Sequence, residues 1–131
     1  MDRIQPLGWA RPRGYSNGIA ATGSVLFIAG QIGWDPRSAK PKLERTFTAQ
    51  FDRALANVVA VLREAGGVPS DVARVTLYVT DQREYVSGLA AVGKSWKRHL
   101  GRHFPAMTLV AVTALVDPNA RVEIEAEALL P

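Results

Sequence analysis

Apolar positions recur at helical spacing most clearly in the middle of the chain, where Phe47, Phe51, Leu55, Val58, Val59 and Leu62 form one stripe and Asp52, Arg53, Arg63 and Glu64 lie off it. That period predicts an amphipathic helix. Thr46 offers an N-cap hydroxyl, and Gly66-Gly67 before Pro69 supplies the stop. The period then shortens to two: Val75, Leu77 and Val79 alternate with Arg74, Thr76, Tyr78 and Thr80, as in a strand with one buried face. A second helix is expected over 84–100, with Tyr85, Leu89, Val92 and Trp96 as its inner stripe. Gly88 and Gly93 weaken it by about 1 kcal/mol each relative to alanine, so packing must hold it in place.

Ahead of the first helix, 15–21 and 25–29 read as two strands joined at Gly23, a hairpin, and 35–42 as a polar loop with two prolines. Behind the second helix come strands at 107–114 and 121–129, divided by a turn at Asp117-Pro118-Asn119. Strand 107–114 is apolar on both sides, with Met107, Leu109 and Ala111 on one and Val110, Val112 and Ala114 on the other. A strand buried on both faces needs two covers. Two helices supply one, and further copies of the chain are expected to supply the other, a packed loop of the same chain being the alternative. The order ββαβαββ describes an α+β layer pair, a mixed sheet with two helices packed on one face. At 131 residues, without repeat or linker, residues 1–131 are expected to form one domain.

Composition narrows the function classes. Hydrophobic residues at 47% and charged residues at 21% belong to a globular chain. The absence of cysteine excludes disulfides, thiolate metal sites and a cysteine nucleophile. No apolar run has signal-peptide length at the start, and none approaches the roughly 20 residues of a membrane span, so a cytoplasmic protein without a membrane partner is expected. The net charge of +4 is concentrated early, with seven Lys/Arg against three Asp/Glu in residues 1–45 and nine against nine in the remainder. The early cations stand among Pro, Gly and Ser, not among aromatic stacking residues, which argues against a nucleic-acid partner.

Candidate chemistry is sparse. Arg121, Glu123, Glu125 and Glu127 share one face of the last strand, and carboxylates two residues apart stand roughly 6.5 to 7 Å from one another. Such neighbours raise each other's proton affinity, which suits one of them to general acid or base work. Arg or Lys pairing on an outer face is the ordinary alternative for Glu125 and Glu127, while Glu123 lies nearest the turn. His99 and His103 have the spacing of two zinc ligands, but Gly101 lies between them and no acidic residue accompanies them, so exposed helix-end histidines and no metal are expected. Gly23, Gly30 and Gly33 neither match a dinucleotide fingerprint nor precede a helix. Glycines at a strand end let a backbone or a ligand come close. No serine has a nucleophile-elbow context.

Five segments in order, GYSNGIAATGSVLFIAGQIGWDP, ALANVVAVLREAGG, SDVARVTLYVTD, HFPAMTLV and VEIEA, resemble the RidA/YjgF family from about Tyr15 to Leu129. The resemblance implies a chorismate-mutase-like fold and a homotrimer with small-molecule pockets between subunits. It also implies hydrolysis of enamine or imine intermediates with release of ammonia, without a cofactor. On that basis Glu123 positions the attacking water, and Tyr15, Gly30 and Gln31 line the pocket, with Ala29 in place of the family's serine. Trp34, Phe104 and Met107 would form an apolar wall, and Trp34, Met107 and Thr108 are expected among the substrate-binding residues. Met107 stands where the catalytic branch carries arginine in a PARS-like motif, and Leu89 lies near a position often held by asparagine. Methionine has no donor for a substrate carboxylate. The chain is therefore read as a divergent member, in which Arg83, Arg102, Arg121 or a basic residue of the N-terminal arm replaces the cation. Two functions remain: a deaminase of an enamine or imine, such as a 2-aminomuconate-like compound, and a metabolite binder without turnover.

Overall fold

The computed structural model describes residues 1–131, which run in the order β1 (Asp2–Ile4), β2 (Gly18–Ala20), β3 (Ser24–Ile32), α1 (Phe47–Glu64), β4 (Val72–Val79), α2 (Gln82–Ser87), α3 (Leu89–Leu100), β5 (Ala106–Ala111) and β6 (Val122–Leu130). Helix α1 begins where its cap predicts, with Thr46 Oγ1 accepting from the Ala49 amide at 3.2 Å. It ends where Gly66 takes a φ of +83° and the Gly67 amide donates to the Leu62 carbonyl at 2.9 Å. All six residues of the predicted stripe are buried. Two polar residues share that inner face. Gln50 donates to the carbonyls of Glu44 and Asn119 and accepts from the Arg121 amide, while Asn57 donates to the carbonyls of Ile32 and Trp34. Buried amides cost free energy unless bonded, and these two stitch the loops at one end of the sheet to α1.

The main sheet has the order β3-β6-β4-β5, with β4 and β5 parallel and the other pairs antiparallel. Val75, Leu77 and Val79 of β4 and Val122, Ile124, Ala126 and Ala128 of β6 are buried in a core shared with α1 and α3. Side chains alternate across a strand, so the register puts Val25, Phe27, Tyr78, Thr108, Val110 and the three glutamates of β6 on the opposite face. No helix of the chain covers that face: Phe27 is 74% and Val110 40% exposed. No helix is long and apolar enough to cross a membrane.

The structure is α+β with a mixed sheet, and three elements differ from the sequence reading. The expected hairpin of 15–21 with 25–29 does not form. β2 pairs with β1, and β3 pairs with β6. Ser16 explains this, because its amide donates to the Pro105 carbonyl at 2.9 Å and its hydroxyl to the Phe104 carbonyl at 2.6 Å. It thereby bridges to Ala106 at the β5 edge of the sheet, opposite β3. The helix expected over 84–100 is two helices, α2 and α3, divided at Gly88. A Cβ there would lie 2.9 Å from the Glu84 carbonyl oxygen and 3.0 Å from Thr48 Cγ2, so the close approach to α1 favours glycine at the break. Strand 107–114 stops at Ala111. The Val112 amide makes the last bond, to the Val79 carbonyl at 2.8 Å, where β4 itself ends.

Candidate functional site

The same Ser16 bonds that abolish the hairpin build a cleft, because they hold the preceding residue, Tyr15, beside β5. A cleft of about 650 Å³ opens there between β5, α3 and the 13–15 segment. Its wall includes Tyr15, Met107, Leu89, Val92, Trp96 and Phe104. Trp96 is fixed by its indole N–H, which donates to the His103 carbonyl at 2.9 Å. Met107 pairs in register with Val75 and so faces the helices, away from the glutamate ladder. Tyr85 also lines the cleft, where burial pushes its phenol above the ordinary range. The charged residues of the lining are Arg13, Lys97 and Arg102, and no carboxylate accompanies them.

A second constellation lies on the other side of the sheet. The β3–β6 ladder is irregular between Ile28 and Gln31, which puts Gly30 in a bulge against Glu123. A Cβ at residue 30 would overlap the Glu123 carboxylate, so the glycine leaves the room that this side chain occupies. The three rungs of the ladder have different partners. Arg74 holds Glu127 at 3.3 Å, and the Tyr78 hydroxyl donates to Glu125 at 2.7 Å. That hydrogen bond to a carboxylate raises the Tyr78 phenol above its usual range. Glu123 accepts no hydrogen bond from any donor of the chain, and it is only half-buried. Its carboxylate is available for a water or a ligand.

The sequence-derived site residues therefore fall into two groups. Tyr15 and Met107 share the cleft; Gly30 and Glu123 share the bulge, with Gln31 next to it, its side-chain amide turned back to the Ala29 carbonyl at 3.1 Å. Glu123 does not line the cleft. Two residues lie outside both groups within one chain. Within one chain Trp34 does not line the cleft with Phe104 and Met107; it bridges to Leu43 at the base of the 35–42 loop, and its carbonyl is held by Asn57 at 2.8 Å. Thr108 lies next to Met107 in sequence but on the opposite face, where it pairs with Thr76. Leu89 is 54% exposed and belongs to the cleft mouth, not to the core stripe. Trp96, read from its period as a core residue, is both core and cleft wall.

The four candidate replacement cations also separate. Arg83 is clamped on Asp81 at 2.9 Å and Arg121 on Glu84 at 2.6 Å, whereas Arg102 and, from the N-terminal arm, Arg13 line the cleft. The two histidines are not exposed helix-end groups. His99 Nε2 lies 3.0 Å from Asp52, and His103 Nε2 donates to the Val72 carbonyl at 2.6 Å, so their rings serve different partners. No group of three or more His, Asp or Glu is placed to hold a metal ion.

Comparison with known proteins gives one consistent relationship. Residues 9–130 match the family model described as Endoribonuclease L-PSP. A RutC family protein of Pyrococcus horikoshii is 34% identical over 112 residues, covering 86% of this chain and 83% of the relative. A 2-iminobutanoate/2-iminopropanoate deaminase of Salmonella typhimurium is 30% identical over 110 residues, covering 82% and 80%. Among solved structures, a Rid-family protein of unknown function from Yersinia pestis superposes with a TM-score of 0.84 at 32% identity, over 98% of each chain.

Proposed function

The chain belongs to the RidA/YjgF family, and from that premise we propose that it is a hydrolytic deaminase of small enamine- or imine-type metabolites, working in pockets between the subunits of a homotrimer. The observation that carries the reading is the division of the site residues. Glu123 sits over Gly30 with an unengaged carboxylate, while Tyr15 and Met107 line a cleft that Glu123 does not reach. A neighbouring copy brings the two halves together. The uncovered sheet face, with Val25, Phe27 and Val110 exposed, is apolar surface for such an assembly.

In this mechanism the Glu123 carboxylate takes a proton from a water as the water oxygen bonds to the carbon of the C=N group. The protonated Glu123 passes that proton to the nitrogen, and the resulting carbinolamine collapses to a carbonyl as its hydroxyl proton is carried by the carboxylate to the departing amine, which leaves as ammonia. Tyr15 and the cleft wall hold the substrate so that one face of the C=N bond meets the water. Removing a general base of this kind costs typically 10²- to 10⁴-fold. Glu123→Ala is therefore expected to lower ammonia release from imines, generated by an amino-acid oxidase, by at least about a hundredfold.

Met107 at the family's arginine position favours a second reading, a pocket that binds metabolites without turnover. The same experiment separates them. Under the first, wild-type protein releases ammonia and Glu123→Ala does not. Under the second, neither releases ammonia, although ligands raise the melting temperature of both.

A further inference from the structure

The cleft combines an apolar, aromatic wall with three cations and no acid. Five arginines outside the cleft, Arg37, Arg74, Arg83, Arg98 and Arg121, each hold a carboxylate within 4.0 Å, and the other five outside it, Arg3, Arg11, Arg45, Arg53 and Arg63, hold none. Arg13, Lys97 and Arg102 hold none, yet all three border the same opening. Positive charge gathered at the mouth of a low-dielectric cavity attracts an anion and holds it more strongly than the same charge on an open surface.

Volume and wall chemistry restrict the remainder of the ligand. A cleft of about 650 Å³ lies in the range that encloses drug-sized molecules, roughly 300 to 1,000 Å³. A three- or four-carbon acid held at the mouth would leave most of Phe51, Trp96, Phe104, Met107 and Leu109 uncovered. Aromatic walls favour an aromatic body through offset or edge contacts, and the Met107 thioether adds contacts to a ring. Arginine at residue 107 would put a charge and five donors on that wall. Methionine makes it continuous.

Resting on the reading of this cleft as the substrate-binding half of the site, we propose that it selects carboxylates with a bulky aryl body. Arg13, Lys97 and Arg102 at the mouth take the carboxylate, and Met107 packs on the ring. The charge stands at the rim, and the apolar depth beneath it admits a substrate larger than a three- or four-carbon acid.

Stable probes test this with the whole protein. Calorimetric titration is expected to give 3-phenylpropanoate at least about tenfold tighter binding than 3-phenylpropanamide, which lacks the charge, and than propanoate, which lacks the ring. Lys97→Gln and Arg102→Gln, both at exposed positions, are expected to cut the acid's affinity about tenfold each while leaving the amide unchanged. Equal affinity for acid and amide, a preference for propanoate, or binding of none of the three overturns the proposal. Turnover is read separately on imines made from alanine and from phenylalanine. Glu123-dependent hydrolysis that prefers the alanine imine overturns the aryl assignment and leaves the deaminase reading standing. Tight phenylpropanoate binding with no ammonia release from either imine upholds the aryl assignment and removes the deaminase.

Discussion

Gly30 and Glu123 illustrate how a site is made by what a residue lacks. The missing Cβ at residue 30 is what lets the carboxylate lie over the bulge, so Gly30→Ala is expected to push it aside without opening the core. A displacement of about 1 Å in a catalytic group costs on the order of a hundredfold, and that loss of kcat, with little change in melting temperature, is the expected outcome. An unchanged kcat would remove Glu123 from the chemistry. Asp52 shows the opposite case, a carboxylate with a structural task. Burial pushes its carboxyl up, but hydrogen bonds from Ser95, Arg98 and His99 outweigh this and hold it at about 2, below the ordinary 3.8. A depressed pKa contributes stability that is present above the ordinary value and is lost as pH falls through the folded value. The stability difference between wild type and Asp52→Asn should therefore be steady above pH 4 and close between pH 4 and 2. The carboxylate is 40% exposed, so solvent screening keeps that difference small. A gap independent of pH in chemical denaturation would contradict the assignment.

At the level of elements, periodicity made α1, β4 and β6 legible because each has one largely apolar face opposite a more polar one. Gln50 and Asn57 on the inner face of α1 were not legible, since their role depends on loop carbonyls distant in sequence. The hairpin failed for a related reason: nothing local announces that Ser16 will bond to Phe104 and Pro105. The helix break at Gly88 lay within reach, because Gly88 and Gly93 both interrupt the helical stretch, but only packing tells them apart. A Cβ at Gly93 meets nothing within 4 Å, whereas one at Gly88 crowds Glu84 and Thr48. Gly93→Ala is accordingly expected to stabilise the protein by about 0.5–1 kcal/mol, and Gly88→Ala to destabilise it, as read from urea unfolding. Equal effects would mean that the helix break is not set by the contact with α1.

For the whole molecule, the strand that is apolar on both sides gave the reason to expect a second cover, and the structure leaves Phe27 and Val110 bare on the face without helices. Sequence resemblance supplied Glu123, Gly30 and Tyr15 but not their separation into two groups, which follows from strand register and from the Ser16 bonds beside Tyr15. Catalysis as proposed requires adjacent copies to join those groups. Subunit mixing tests this most directly: Tyr15→Ala and Glu123→Ala chains, each inactive as a pure assembly, are unfolded together and refolded as hybrids, and ammonia release is measured. In a head-to-tail ring, about a quarter of the seams in an equal mixture then receive an intact cleft from one chain and an intact glutamate from the next. Activity near that fraction of wild type is the predicted result; hybrids no more active than their parents would show that each site lies within one chain.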